Sequence, residues 1–270
     1  MKTAFYTLSL ICWLLWPGND TINLSHRLIA HYTFDQCDAR DVTGNGSDGN
    51  LFGGIDCWCG IRNDGLLFDG VNDYIEFTGP VNRYFSTSDF TVSFYFKPWQ
   101  QSIFKQSLLS KRTNCDEYNM FDLQLDCRNK LIDTDIHETP LKDYPEVSPY
   151  YLETGWHHYA LVRSGSIVYT YIDGQLQRKG LRCSGVDISN NTPLSFSHSP
   201  CTSRGGTRPF KGVLDELRVY GRALTPSEVQ ALYMLNPIED ANADCLTDIG
   251  PEKLPILTNF KVKRTYLCVR

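Results

Sequence analysis

This chain of 270 residues is short of positive charge: 26 Lys and Arg against 31 Asp and Glu leave a net charge of -5. An acidic surface repels a phosphate backbone, so no nucleic acid partner is expected. Long apolar runs are also missing. The longest, Ala4 to Trp16, covers about 13 residues where a bilayer crossing needs about 20. No Gly-x-Ser-x-Gly elbow and no phosphate-binding P-loop occur, which removes the hydrolases and nucleotide enzymes recognised by those motifs. The one close cysteine pair, Cys57-Trp58-Cys59, has a single intervening residue, short of the two to four used by zinc knuckles.

What the N-terminus does have is Lys2, the apolar run and a break at Pro17-Gly18. This reads as a signal peptide over residues 1–18, with no transmembrane segment beyond it. Gly18 is small enough to precede a cleavage point and Trp16 fits poorly two places earlier, so a cleaved leader and an uncleaved anchor both stand. The remaining chain, about 250 residues, suits one large all-β domain or two small ones. A secreted or cell-surface location makes disulfides the first reading of every cysteine except Cys12. Nearest-neighbour pairing joins Cys115 with Cys127, Cys183 with Cys201, and Cys245 with Cys268. Cys37 takes Cys57 or Cys59, and the odd thiol stays free or links a second chain into a disulfide-bonded oligomer. Acceptor triplets at Asn19, Asn23, Asn45 and Asn190 fit a glycosylated exterior.

From Leu28 to Tyr220 short β-branched and aromatic runs alternate with Gly, Asn, Asp and Pro clusters, the pattern of an all-β sandwich. Phe90 to Phe96 places Phe90, Val92, Phe94 and Phe96 on one face and Thr91, Ser93 and Tyr95 on the other, predicting a half-buried strand. Asp173-Gly174 predicts a tight hairpin turn after Ile167–Ile172. Thr225-Pro226-Ser227-Glu228 predicts a capped helix reaching about Leu235. Two segments break the rhythm and read as surface loops: 135–155, rich in Pro and Tyr, and 199–209, which carries Arg204, Gly205, Gly206 and Arg208.

Five stretches in this order, Leu28–Asp35, Thr43–Gly49, Phe68–Phe77, Gly155–Arg163 continuing to Tyr171–Gly174, and Phe210–Leu224, are similar to the laminin-G-like, concanavalin-A-like jelly-roll superfamily. The resemblance covers about 200 residues. It implies two antiparallel sheets packed face to face, forming one jelly roll over residues 26–235 with a short C-terminal capping helix, followed by a cysteine-containing tail over 236–270. Ligands in such folds sit at loop rims or on a concave sheet face. The resemblance also implies calcium, with Asp35 and Asp215 at the matching motif positions. Asp48, Asp69 and Asp73 are weaker candidates, since each equally forms a turn.

Trp58 and Trp99 have the flat apolar face on which a sugar ring stacks, and each is equally a rim or core aromatic. Arg204 and Arg208 are suited to gripping a sulfate, sialic acid or carboxylate, or serve as solvated loop charge. In Trp156-His157-His158 the alternation reads as a core tryptophan with strand-surface histidines. Related glucanases carry Glu-x-Asp-x-(x)-Glu on one strand, and this chain has no such motif; Leu214-Asp215-Glu216-Leu217 is its nearest imitation. The sequence therefore reads as an extracellular recognition or adhesion module, binding a glycan with calcium's help. A protein-interaction module without a sugar site and a diverged glycosidase are the alternatives.

Overall fold

The computed structural model describes residues 22–99, 102–151 and 155–238. The expected signal peptide, Asn19, and the tail beyond residue 238, where Cys245 is expected to pair with Cys268, lie outside them. Within them the apolar runs form β1 (Leu28–Tyr32), β2 (Gly49–Phe52), β3 (Asp56–Cys59), β4 (Asp64–Asp69) and β5 (Tyr74–Phe77). After a 3-10 turn at Gly79–Arg83 come β6 (Phe90–Pro98), β7 (Gln106–Lys111), β8 (Met120–Asp126), β9 (Leu131–Thr139) and β10 (Lys142–Asp143). The chain continues through β11 (His157–Ser164), β12 (Ile167–Ile172), β13 (Gln175–Leu181), β14 (Ser195–Phe196), helix α1 (Pro200–Ser203), β15 (Lys211–Tyr220) and helix α2 (Pro226–Tyr233).

These strands make two antiparallel sheets, the expected sandwich. One runs β13-β12-β11-β6-β15-β4-β3, with β1 also on β15; the other runs β10-β9-β8-β7-β14-β5-β2. Their inner faces meet in one apolar cluster that includes Phe68, Phe94, Phe121, Leu123, Ile136, Leu161, Phe196 and Leu217, and burial of such side chains drives the packing. β4 and β1 share one edge of β15 in succession. Leu214 pairs with Leu66, Leu217 pairs with Tyr32, and the ladder against β6 is bulged between Asp215 and Arg218.

Local signals map onto local structure. Asp173 and Gly174 both take positive φ, 52° and 72°, as a two-residue turn of the I′ type requires. Thr225 Oγ1 accepts from Glu228 N, and Glu228 Oε2 accepts from Thr225 N at 2.8 Å, the predicted capping box. Arg222 completes this corner. It pairs with Glu228 and donates to the carbonyls of His26 and Asn23, joining α2 to the approach to β1.

Three expectations need correction. β6 is buried on both faces rather than one, because α2 covers its second side: Leu224 N donates to Thr91 Oγ1, and Tyr95 Oη donates to the Tyr233 carbonyl. Segment 135–155 is not a plain surface loop. It extends β9, forms β10 and then tucks Tyr144, Val147 and Tyr151 into the core, pinned by Thr170 Oγ1 to Val147 O.

The third concerns the cysteines. Cys37 pairs with Cys57, one of the two options, but Cys115 pairs with Cys201. Cys127 stands past the far end of β8 from the loop that holds Cys115, and seven strand residues span about 20 Å, beyond any disulfide. It is instead a buried thiol with Gln106 Nε2 at 3.5 Å. Cys183 is an exposed thiol just after β13 of the eight-stranded sheet, while Cys201 lies in α1, bonded to Cys115. Cys59, the other option for Cys37, is itself disulfide-bonded.

Candidate functional site

The expected calcium pair comes first. The β15 bulge, with Glu216 at φ 51°, turns Asp215 toward the β3–β4 turn. There Asp215 Oδ2 accepts from Ile61 N at 2.8 Å and Arg62 N at 3.2 Å, and Oδ1 accepts from Glu216 N at 2.7 Å. Burial, then the neighbouring Glu216 charge, pushes its pKa well above the carboxylate range. A cation at this carboxylate would face three N–H dipoles, so Asp215 caps a turn and does not fit as a calcium ligand. Asp35 lies just past β1, which the register carries toward the same junction, and its Oδ1 is buried without a partner. Asp69 and Asp73 bind turn N–H groups, and Asp48 accepts from Asp41 N. Glu216 instead meets His31 Nε2 at 2.9 Å and Arg218. Burial opposes its ionisation, but these two partners hold its pKa below the usual range.

Both histidines expected at the surface are buried. His158 Nε2 lies 2.7 Å from Ser93 Oγ, and His157 Nδ1 lies 3.4 Å from Asp173. Burial pushes the His158 pKa down to about 3, Asp173 opposing it and Arg218 adding to it, so a neutral ring packs under α2.

The expected ligand residues do not converge. Trp58 packs edge-on against Trp99 at 5.0 Å, beside Ile61, Tyr95 and Trp156, on the outer side of the eight-stranded sheet. Arg204 and Arg208 lie over the opposite sheet. Arg204 is exposed at the end of α1, and the Arg208 guanidinium stands 4.7 Å from the Phe104 ring.

What the register does assemble is a polar row across the outer face of the seven-stranded sheet. Asn50 opposes Glu76, which opposes Ser195, then Ser110, Asp122 and Asp135. Directly opposed residues point to the same side, and their chain neighbours Leu51, Ile75, Phe77, Phe121 and Ile136 fill the core. Residues 197–208 arch over the middle of this row as a strap. It leaves β7 at Ser197 N to Leu108 O, returns at Arg208 N to Lys105 O, and is tied down by Cys115–Cys201. Beneath it Ser107 Oγ and Thr207 Oγ1 are buried without partners, and the Ser110 side chain hydrogen-bonds Asp122. Asp122 Oδ2 accepts from Arg112 at 2.6 Å and from Gln124 at 2.7 Å; burial raises its pKa against the pull of Arg112.

The strap leaves two open halves. On the β9 side, Asp133 binds Lys105, and His137 lies 3.6 Å from Asp135, whose hydrogen bond raises the His137 pKa despite burial. On the β2–β5 side the Phe52 and Tyr74 rings stack at 4.5 Å with 7° between planes, and His198 lies 4.8 Å from Tyr74. Asn50 and Glu76 flank this aromatic floor, and Phe52 is 37% exposed. Such a floor with adjacent amide and carboxylate can stack on the C–H face of a sugar ring and bond its hydroxyls. Sequence reasoning missed these residues, although Asp122-Leu-Gln124-Leu-Asp126, and Asp135-Ile-His137 on the next strand, alternate polar with apolar residues and so announce one polar face.

The family profile described as the concanavalin A-like lectin/glucanases superfamily matches residues 69–230. No curated protein matches the sequence significantly. Among solved structures, domain 4 of AbnA, a GH43 extracellular arabinanase from Geobacillus stearothermophilus in complex with arabinotriose, is similar at 24% identity and TM-score 0.57, covering 77% of this chain and 98% of that one. The binding domain of Paraclostridial Mosquitocidal Protein 1 is similar at 17% identity and TM-score 0.59, covering 77% and 52%. A botulinum neurotoxin DC binding domain in complex with rat synaptotagmin II is similar at 10% identity and TM-score 0.61, covering 77% and 51%. The chain thus spans about half of these toxin domains. Likeness at these identities shows a shared fold.

Proposed function

Because the chain belongs to the concanavalin A-like lectin/glucanase superfamily, we propose that it is an extracellular recognition module that binds carbohydrate on the outer face of its seven-stranded sheet. The strongest support is the exposed Phe52–Tyr74 stack beside Asn50 and Glu76. The arabinotriose carried by the arabinanase domain agrees with it, and the disulfides Cys37–Cys57 and Cys115–Cys201 suit an extracellular setting. Among the described residues no helix is long and apolar enough to cross a membrane.

Binding without hydrolysis is the reading favoured by the carboxylates of β8. Asp122 is committed to Arg112 and Gln124 beneath the strap, and Asp126 accepts from Arg128 N, Asn129 N and Asn129 Nδ2. Neither is poised to protonate a glycosidic oxygen.

The test is a glycan array probed with the disulfide-intact protein and with Phe52→Ala and Tyr74→Ala. Each substitution should weaken the strongest ligands by about 3–10-fold, the worth of one aromatic contact, while leaving the thermal midpoint within a few degrees. No reproducible binding by folded protein would overturn the sugar reading and move the function to a protein partner. Turnover of a bound polysaccharide would overturn the non-enzymatic part.

A further inference from the structure

At one end of the sandwich a cleft of about 380 Å³ opens between the 3-10 turn Gly79–Arg83 and residues 189–192, with Arg83, Phe85, Lys111, Asn191 and Thr192 in its lining. That volume lies at the small end of ligand pockets, about 300–1,000 Å³. Its walls are pinned by amides. Asn82 donates to Phe77 O and accepts from Leu194 N; Asn190 Nδ2 donates to Asn119 O at 2.8 Å and to Lys111 O at 3.2 Å.

The charges in this cleft are of one sign. Lys111 is 1% exposed, and its ammonium donates to Asn190 O at 2.7 Å, Thr192 O at 2.6 Å and Asn190 Oδ1 at 3.2 Å. Those three oxygens are neutral, so its N–H groups are satisfied but its charge is not. Burial alone pushes its pKa down to about 8. Arg83 is exposed at the cleft mouth, with no ion pair or hydrogen bond among the described residues. No acidic side chain lines the cleft, in a protein of net charge -5.

We propose that this cleft binds an oxyanion, a sulfate or carboxylate group, gripped by the Arg83 guanidinium and balancing the buried charge of Lys111. Guanidinium forks match the planar or tetrahedral oxygens of such groups, and a charge shielded from water acts strongly on an anion it does not touch. The cleft shares no residue with the Phe52–Tyr74 floor, so either site stands if the other fails.

The experiment is calorimetric titration at low ionic strength with three probes: sodium sulfate, a sulfated disaccharide and its unsulfated parent. Saturable binding of sulfate or the sulfated sugar, weakened at least 10-fold in Arg83→Ala and absent for the parent sugar, supports the site. Sulfate binding alone marks a free-anion site, and a clear preference for the sulfated sugar marks a glycan-borne one. As a second readout, NMR titration of the Lys111 amine should show its pKa rising by about one unit when the probe is bound, because a counter-charge stabilises the ammonium. The proposal is overturned if folded protein binds neither anionic probe, if Arg83→Ala binds as wild type does, or if Lys111 titrates identically with and without a saturating probe.

Discussion

Replacing Cys115 and Cys201 together by serine should free the strap while the sandwich beneath it survives. The disulfide links residues 86 apart, and the loop-entropy estimate for that length is about 4–5 kcal/mol. Opposing it, the closed strap keeps two polar atoms, Ser107 Oγ and Thr207 Oγ1, buried without partners. Each such atom costs about 1 kcal/mol or more, and release to water recovers part of that. The net loss in global stability should therefore be about 2–4 kcal/mol, read as a lower urea midpoint. Locally the effect should be larger. Arg204 is exposed and precedes Gly205-Gly206, so trypsin should cut the folded variant after Arg204 under conditions that leave wild type whole, as mass spectrometry of a timed digest would show. Equal protection of that bond, with stability changed by less than about 0.5 kcal/mol, would refute the idea that the disulfide holds the strap against its own buried polar atoms.

Other outcomes follow from the buried polar groups. His158 stays neutral in the fold, with a pKa near 3 against 6.5 unfolded. As pH falls from about 6.5 to 3 the unfolded chain takes up a proton that the folded chain does not, so stability should fall by up to about 1.4 kcal/mol per unit. His158→Gln should flatten that part of the pH–stability curve; an unchanged slope would remove His158 as its source. Asp215→Ala leaves three backbone N–H groups without an acceptor and should cost about 2–4 kcal/mol, equally in calcium and in chelator. A loss confined to calcium would restore Asp215 as a metal ligand. Asn190 Nδ2 is already donating to Lys111 O and Asn119 O, so peptide mapping of protein from a glycosylating host should find Asn190 bare and exposed Asn23 the more occupied acceptor.

Strand runs, the Asp173-Gly174 turn and the Thr225–Glu228 capping box were legible because each depends on residues adjacent in the chain. The short-range Cys37–Cys57 bond was within reach as one of two options, but the long-range one was not: Cys115 and Cys201 meet only because β7 and β14 pair, so nearest-neighbour logic failed for Cys127 and Cys183. Asp215 stood at the expected motif position, but whether it faces a cation or N–H groups depends on a bulge opposite β6 that no local pattern announces. The sheet-face row draws one residue from each of six strands between Asn50 and Ser195. Alternation reveals which side each points to, whereas strand order alone reveals that they line up.

The pairing of β1 with β15 sets the order in which this chain can be completed. Leu28 finds its partner only at Tyr220, so on a ribosome or translocon β1 emerges early and must wait for nearly the whole domain. β15 is also the central partner of β6 and β4, so a nascent chain stopped before Lys211 has neither sheet edge to offer them. Such long-range closure is slow, of order milliseconds to seconds, and until it happens the apolar faces of β1, β4 and β6 stand open to other chains. The topology thus leaves these faces exposed throughout synthesis, whatever ligand the finished surface meets.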